Sequence, residues 1–389
     1  MAETFRVVDD VPLPDPGALV TGRAAREDVY PIAVCRTFEA AIAQLVEWLE
    51  GRAVAVITDD VVEALYGPVL IRGLRDAGKE PLIRVIPDGE ASKSLEQAVA
   101  AWHWLAASEI ARRDVLVAFG GGVVADLGGW VASGYMRGIP YVNVPTTLLA
   151  QVDGALGGKV AANHPLAKNL IGAFHSPAGV VANVSFLRST SGRHLRAGLA
   201  EAIKKAVIAS PAYWELIEDS ADALLARDIE ALERLVHCAA AIKTALIERD
   251  PFEHDLRRPL NFGHTIGHPL ETVTGYGPLL HGEAVAFGMV VEARIAHERG
   301  LLDASTLERL LALLERCGLP TTGSALPVVV EADAVIAAME KVRQIRAGSL
   351  RYVLPVALGE TVIADDVDER EVRDALAACG LRVAIGDTR

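Results

Sequence analysis

Cysteine is scarce in this chain: four residues, Cys35, Cys238, Cys317 and Cys379, with no C-x-x-C spacing. That excludes a disulfide framework and reads as buried free thiols in a reducing compartment. Positive charge is also short. Lys and Arg number 38 against 51 Asp and Glu, leaving a net charge of -13 and a pI of about 5.3. A nucleic-acid partner would want a basic face and is not expected. A few local cations can still build a phosphate pocket on an acidic protein. Apolar stretches are broken by Gly, Asp or Arg before they reach membrane-spanning length. The opening MAETFRVVDD shows no basic segment followed by an apolar run. No membrane association is expected, and the location is read as cytoplasmic. There is no internal repeat and no low-complexity segment. Aromatics are few at 5%, but 51% hydrophobic and 23% charged residues make an ordinary globular composition. At 389 residues the chain can hold two domains and a large core.

What is present centres on NFGHTIGHPLETVTGYGPLLHGE, residues 261–283. His264 and His268 are four apart and share one helix face. Gly275, Gly277 and Pro278 break that helix. His281 then opens a second apolar-periodic run and can return beside His264. Neutral imidazoles suit zinc and similar ions. The pair lacks the intervening Glu of H-E-x-x-H, so surface or capping histidines are the alternative; the third histidine favours metal. Glu201, in GLAEAIKK, is the candidate third ligand. It lies three residues before Lys204. Such pairs are usually exposed and contribute little, but the apolar neighbours here predict burial.

Residues 1–28 are polar, carry Pro12, Pro14 and Pro16, and read as a loosely packed extension. From residue 29 to about 183, strand-like and helix-like runs alternate, which predicts an α/β domain with a mainly parallel sheet. Expected strands are 30–34, RAVAVITDD, PLIRVIPDG and DVLVAFGGG; expected helices are 38–50, 61–77 and 96–108. Such sheets bind ligands at the carboxyl ends of their strands. GGGVVADLGGW follows the last of these strands. Its glycines allow close approach to a phosphate at a helix N-terminus, although the spacing is not G-x-G-x-x-G. A close-packed turn without ligand is the alternative. Asp59 at a strand end could accept from ribose hydroxyls. Further on, Arg137, Lys159, Lys168 and Asn169 surround glycines and a proline-containing loop, as a phosphate pocket requires; a solvated basic loop is the alternative. From about 184 to 389 the chain reads as a mostly α-helical domain, closed by a helix, a strand in SLRYVLPVAL and a final helix.

Six motifs in order, GGGVVADLGG, PTTLLAQVDGALGGK, AKNLIGAFH, GLAEAIK, LNFGHTIGH and HGEAVAFGM, resemble the 3-dehydroquinate synthase family of sugar-phosphate cyclases. The resemblance runs from about residue 30 to the C-terminus. It implies a Rossmann-like NAD-binding domain and an α-helical domain carrying a divalent metal, usually zinc, with cobalt possible. The implied metal ligands are Glu201, His264 and His281. The implied cofactor contacts are Asp59, Glu90, Lys93, Gly121, Gly122, Asp126, Thr146 and Thr147. Lys204, Asp153, Lys243, Asn261 and His268 would be catalytic. Lys159, Lys168, Asn169 and Arg257 would hold the substrate, and Arg137 would reach a neighbouring subunit's phosphate site, implying a homodimer. Family chemistry oxidises a carbinol with bound NAD, eliminates phosphate, reduces the ketone again and closes a ring by an intramolecular aldol step. The resemblance implies that the phosphate acts as base for its own elimination and that the cofactor is regenerated in each turnover.

Two departures bear on the substrate. Val160 follows Lys159 where the family commonly has Thr, and Val342, Arg343 and Gln344 stand where synthases carry Asp-Lys-Lys. Relatives that cyclise sedoheptulose 7-phosphate commonly lose the Asn and second His retained here as Asn261 and His268. With Lys243 and Arg257 also present, the reading favours a carboxylated heptulose phosphate, 3-deoxy-arabino-heptulosonate 7-phosphate, with dehydroquinate as product. The alternatives are a sedoheptulose 7-phosphate cyclase making a valiolone-type cyclitol and, from another class, an NAD- and metal-dependent polyol dehydrogenase.

Overall fold

Short Val-, Ile- and Ala-rich runs build the first half of the molecule. The computed structural model describes residues 28–164, 167–252, 258–275, 277–345 and 350–382. Within it, β1 (Ile32–Cys35), β2 (Val54–Asp59), β3 (Leu82–Ile86), β4 (Val115–Gly120), β5 (Tyr141–Pro145) and β8 (Gly179–Asn183) form one six-stranded sheet. Its order is β1-β8-β5-β4-β2-β3, and every pairing is parallel. β2, β4, β5 and β8 are buried along their whole length. That is why they read as continuous apolar runs and not as alternating ones. Helices α1 (Phe38–Trp48), α2 (Asp60–Asp76), α3 (Leu95–Ala107) and α4 (Gly122–Gly134) connect the strands. The chain runs outward from β2 to the edge strand β3, then returns to β4 on the other side of β2. This reversal opens a crevice at the carboxyl ends of β2 and β4. Asp59 ends β2, and Gly120 to Gly122 lead from β4 into α4.

The segment read as a phosphate pocket around a proline-containing loop forms an antiparallel hairpin, β6 (Lys159–His164) with β7 (Ala167–Phe174). Its small residues give little strand signal. Val160 is buried in the cluster formed by β4, α3 and α4, so tertiary packing makes the strand.

From residue 192 the fold is mostly helical: α5 (Gly192–Ala209), α6 (Pro211–Leu225), α7 (Ile229–Arg249), α8 (His264–Thr274), α9 (His281–Glu298), α10 (Ala304–Arg316), α11 (Ala332–Ile345) and α12 (Glu369–Ala378). A two-stranded ribbon, β9 (Tyr352–Ala357) and β10 (Glu360–Ala364), lies within it; only β9 was expected from the sequence. α9 is apolar almost all round and runs through the core. A Cβ at Gly282 would sit 1.9 Å from the Ala197 carbonyl oxygen, and one at Gly288 would sit 1.9 Å from that of Gly263. Glycine at these two positions lets α9 press against α5 and the start of α8. Among the described residues, no helix is long and apolar enough to cross a membrane.

Candidate active site

Three helices converge on one buried carboxylate. α5 carries Glu201, fully buried; α8 begins with His264; α9 begins with His281. Both histidine Nε2 atoms lie 3.6 Å from Glu201 Oε1. That distance is too long for a hydrogen bond, and Oε1 is buried without a hydrogen-bond partner. Ligand atoms around a tetrahedral zinc, each about 2.0–2.1 Å from the ion, lie roughly 3.3–3.4 Å apart. The donor set and spacing therefore fit a divalent cation. Each ring's other nitrogen is engaged: His264 Nδ1 lies 3.1 Å from the Phe262 carbonyl oxygen, and His281 Nδ1 lies 3.0 Å from Glu271 Oε2. With Nδ1 donating in a neutral ring, the Nε2 lone pair would face Glu201, as a cation ligand requires. Burial, reinforced by Lys204, pushes His264 well below the ordinary imidazole range. Burial also opposes charge on His281, but Glu201 and Glu271 outweigh it and hold the group up to about 9.

Beside this cluster is a row of alternating charges. Lys204 Nζ is 2.5 Å from Glu201 Oε2, and Lys205 Nζ is 3.7 Å from the same atom and 2.6 Å from Asp153 Oδ1. Lys243, on α7, reaches the same Asp153 oxygen at 3.1 Å and donates to the Asp153 carbonyl at 2.6 Å. Asp153 sits in the π turn Ala150–Gly154 after β5, so the row joins the sheet domain to the helical one. Burial opposes the charge on Asp153, but Lys205 and Lys243 hold it well below the usual carboxylate range. Burial brings Lys243 down to about 8.

The cofactor candidates gather at the crevice. Asp59 caps α2 by accepting the Val62 N–H at 2.8 Å, and burial raises its pKa. No side chain caps α4, whose N-cap is Gly121, and a Cβ built on Gly122 would meet nothing within 4 Å. Thr147 lines the same turn, 3.2 Å from a Cβ on Gly121, and the Thr146 N–H is bound to the Gly120 carbonyl. An uncapped helix N-terminus with open space above a glycine fits the pyrophosphate of a dinucleotide. Lys93 Nζ pairs with both Asp126 and Asn169. Glu90 accepts the Asn163 amide at 2.8 Å.

Of the expected substrate residues, Lys168 bridges the two halves, 3.2 Å from Glu271 and 3.7 Å from Glu90. Asn169, grouped with the phosphate loop on sequence grounds, adopts a positive φ of 56° and turns its side chain to Lys93 on the cofactor side. Lys159 is near enough to contribute to the lowering of the Lys243 pKa. The His268 ring stands 5.0 Å from that of His264 and 5.9 Å from that of His281. Asn261 ends the short turn Arg258–Asn261 just before α8. Arg137 is exposed, in a turn where Met136 and Arg137 both have positive φ. Arg257 lies outside the described residues. Sequence reasoning passed over Lys205, Glu271, Glu292 and Asn163. Adjacency to Lys204 hid Lys205, because adjacent helix positions normally face different ways. Glu271 was legible seven residues after His264, two helical turns along the same face.

Family models described as 3-dehydroquinate synthase N-terminal and C-terminal match residues 83–197 and 198–344. A 2-epi-valiolone synthase from Actinosynnema mirum is 53% identical over 372 residues, covering 96% of this chain and 97% of that protein. A 3-dehydroquinate synthase from Desulforamulus reducens is 42% identical, covering 84% of this chain and 90% of that protein. Among solved structures, the 2-epi-5-epi-valiolone synthase of Streptomyces hygroscopicus subsp. jinggangensis, with NAD+ and Zn2+ bound, superposes with a TM-score of 0.85 at 31% identity. That match covers 92% of this chain and 99% of the other.

Proposed function

This chain belongs to the 3-dehydroquinate synthase family of sugar-phosphate cyclases, and from that premise we propose that it converts sedoheptulose 7-phosphate into a valiolone-type cyclitol with release of phosphate. The observation that carries the choice of substrate is the nearly full-length likeness to a 2-epi-valiolone synthase. The carboxylated heptulosonate favoured on sequence grounds is the second reading, supported by the likeness to dehydroquinate synthases.

Among the described residues, which do not include Arg257, the pairing of the cations favours the uncharged sugar. A buried carboxylate needs cationic partners. Lys93, Lys168, Lys204, Lys205 and Lys243 each already face a carboxylate of the chain. Arg343, at the place of the synthases' Asp-Lys-Lys, is half exposed and paired with Glu340 at 2.8 Å. Sugar hydroxyls need no net cation; the retained Asn261 and His268 are the feature that supports the second reading.

Glu201, His264 and His281 would hold a divalent cation, zinc or cobalt. NAD would lie along Asp59, Gly121, Gly122, Thr146 and Thr147, with Glu90, Lys93 and Asp126 at its border. When bound, NAD would supply a reversible hydride acceptor and the cation would supply Lewis acidity. Lys204 and Lys243, both buried, orient hydroxyls and stabilise developing oxyanions. Asp153 fixes both Lys205 and Lys243, so the geometry around the substrate is preset. Lys159 and Lys168 would take the phosphate, joined by Arg137 from a second subunit in a homodimer.

Incubation of the purified protein with each heptulose 7-phosphate tests the reading. Phosphate release and a valiolone-type product from sedoheptulose 7-phosphate, without net NADH, are expected. Turnover of the carboxylated sugar alone would overturn it, and NADH accumulating in step with product would point to a dehydrogenase.

A further inference from the structure

Glu271 lies on α8 and is almost wholly buried, with a relative exposure of 2%. Its two oxygens face in different directions. Oε2 lies 3.0 Å from His281 Nδ1, and Oε1 accepts from Lys168 Nζ at 3.2 Å. The two histidines of the metal site are thus held differently. His264 donates to a neutral backbone carbonyl, whereas His281 donates to a charged carboxylate. A carboxylate behind an imidazole fixes its ring and raises the basicity of the ligating nitrogen. Lys168 draws on the same carboxylate from the β6–β7 hairpin.

We infer that Glu271 is a positioning residue that aims His281 at Glu201 and is itself restrained by Lys168, joining the basic hairpin to the metal ligands through one buried carboxylate. This rests on Glu201, His264 and His281 being the cation ligands. Lys168 lowers the electron density that Glu271 lends to His281. Drawing Lys168 away, as an arriving phosphate would, strengthens the cation site, and by reciprocity a bound cation loosens Lys168. His268, Glu271 and His281 could also group around an ion, but here His281 Nδ1 and Lys168 already occupy the two oxygens of Glu271.

Co2+ titration of the metal-stripped protein, read by its visible absorption and by calorimetry, tests the inference. Glu271→Gln, which keeps shape and loses charge, is expected to weaken Co2+ by about 10–100-fold. Lys168→Met should act oppositely, tightening Co2+ by roughly threefold or more, and this gain should vanish in the Glu271→Gln background. The Lys168→Met arm concerns a partly exposed side chain and remains readable if Glu271→Gln folds poorly, which the thermal midpoint would report. Unchanged Co2+ affinity in Glu271→Gln would overturn the inference. So would a Lys168→Met gain that persists without Glu271, or two ions bound per chain. A wild type that takes up no Co2+ would remove the ligand assignment itself, and a His264→Ala control separates that failure from failure of Glu271 alone.

Discussion

At the scale of single residues, the site depends on which buried charges have partners. Glu201 Oε1 has no hydrogen-bond partner, with two imidazole nitrogens 3.6 Å away. His264→Ala should therefore abolish cation uptake, and elemental analysis of the purified variant should find the site unloaded; full occupancy would refute the assignment. Lys205→Met leaves Asp153, whose side chain is 28% exposed, with Lys243 alone. A loss of about 1.5–3 kcal/mol is expected from removing a charged hydrogen-bond partner, read as a lower urea midpoint. Glu292 gives a pH dependence. Its Oε2 accepts the Gly263 N–H at 2.9 Å, and burial raises its carboxyl to about 8. The folded chain keeps a proton that the unfolded chain releases above about 4.5. Stability should therefore fall as pH rises from about 4.5 through about 8. Glu292→Gln stays neutral, so its thermal midpoint should fall less between pH 5 and pH 8.5 than that of the wild type.

At the scale of elements, α9 sets the geometry of the candidate cation site. It begins with His281, and Glu292, three turns on, caps the start of α8, where His264 stands. One rigid helix thus places one histidine directly and the other through a cap. That placement requires the close approach at Gly282, where an added methyl would collide with the Ala197 carbonyl. Gly282→Ala should destabilise by about 1–3 kcal/mol through overpacking, and it should weaken Co2+ binding because His281 is the adjacent residue. A variant that loses stability but keeps wild-type Co2+ affinity would show that α9 can shift without disturbing the ligand.

At the scale of the whole molecule, the candidate site draws on both the sheet half and the helical half. Asp153 and Lys168 come from the sheet half, and Glu201, Lys243 and Glu271 from the helical half. If Arg137 also completes the site of a second subunit, inactive Arg137→Ala and Lys168→Met proteins should complement each other. Mixed dimers hold one intact site, so refolding the two together should restore about a quarter of wild-type activity. No recovery, with mixed dimers demonstrated, would place Arg137 outside the partner's site.

Much of this was legible along the chain. Continuous apolar runs announced buried parallel strands, since a strand covered on both faces has no polar side to alternate with. Gly275 and His281 marked the end of α8 and the start of α9, because local backbone preference decides such boundaries. The six motifs carried the family, and the family models and relatives bear it out. Other features depend on contacts between residues distant in sequence. The β6–β7 hairpin is a strand pair only because Val160 packs under the sheet domain. Lys205, on α5, faces Asp153, 52 residues away in sequence, a pairing no sequence window spans. Glu271 became a partner of both His281 and Lys168 only when α8, α9 and the hairpin met. Local pattern determined the elements and the candidate ligand types. Which charges neutralise one another was decided by tertiary packing, because burial makes every unpaired charge costly.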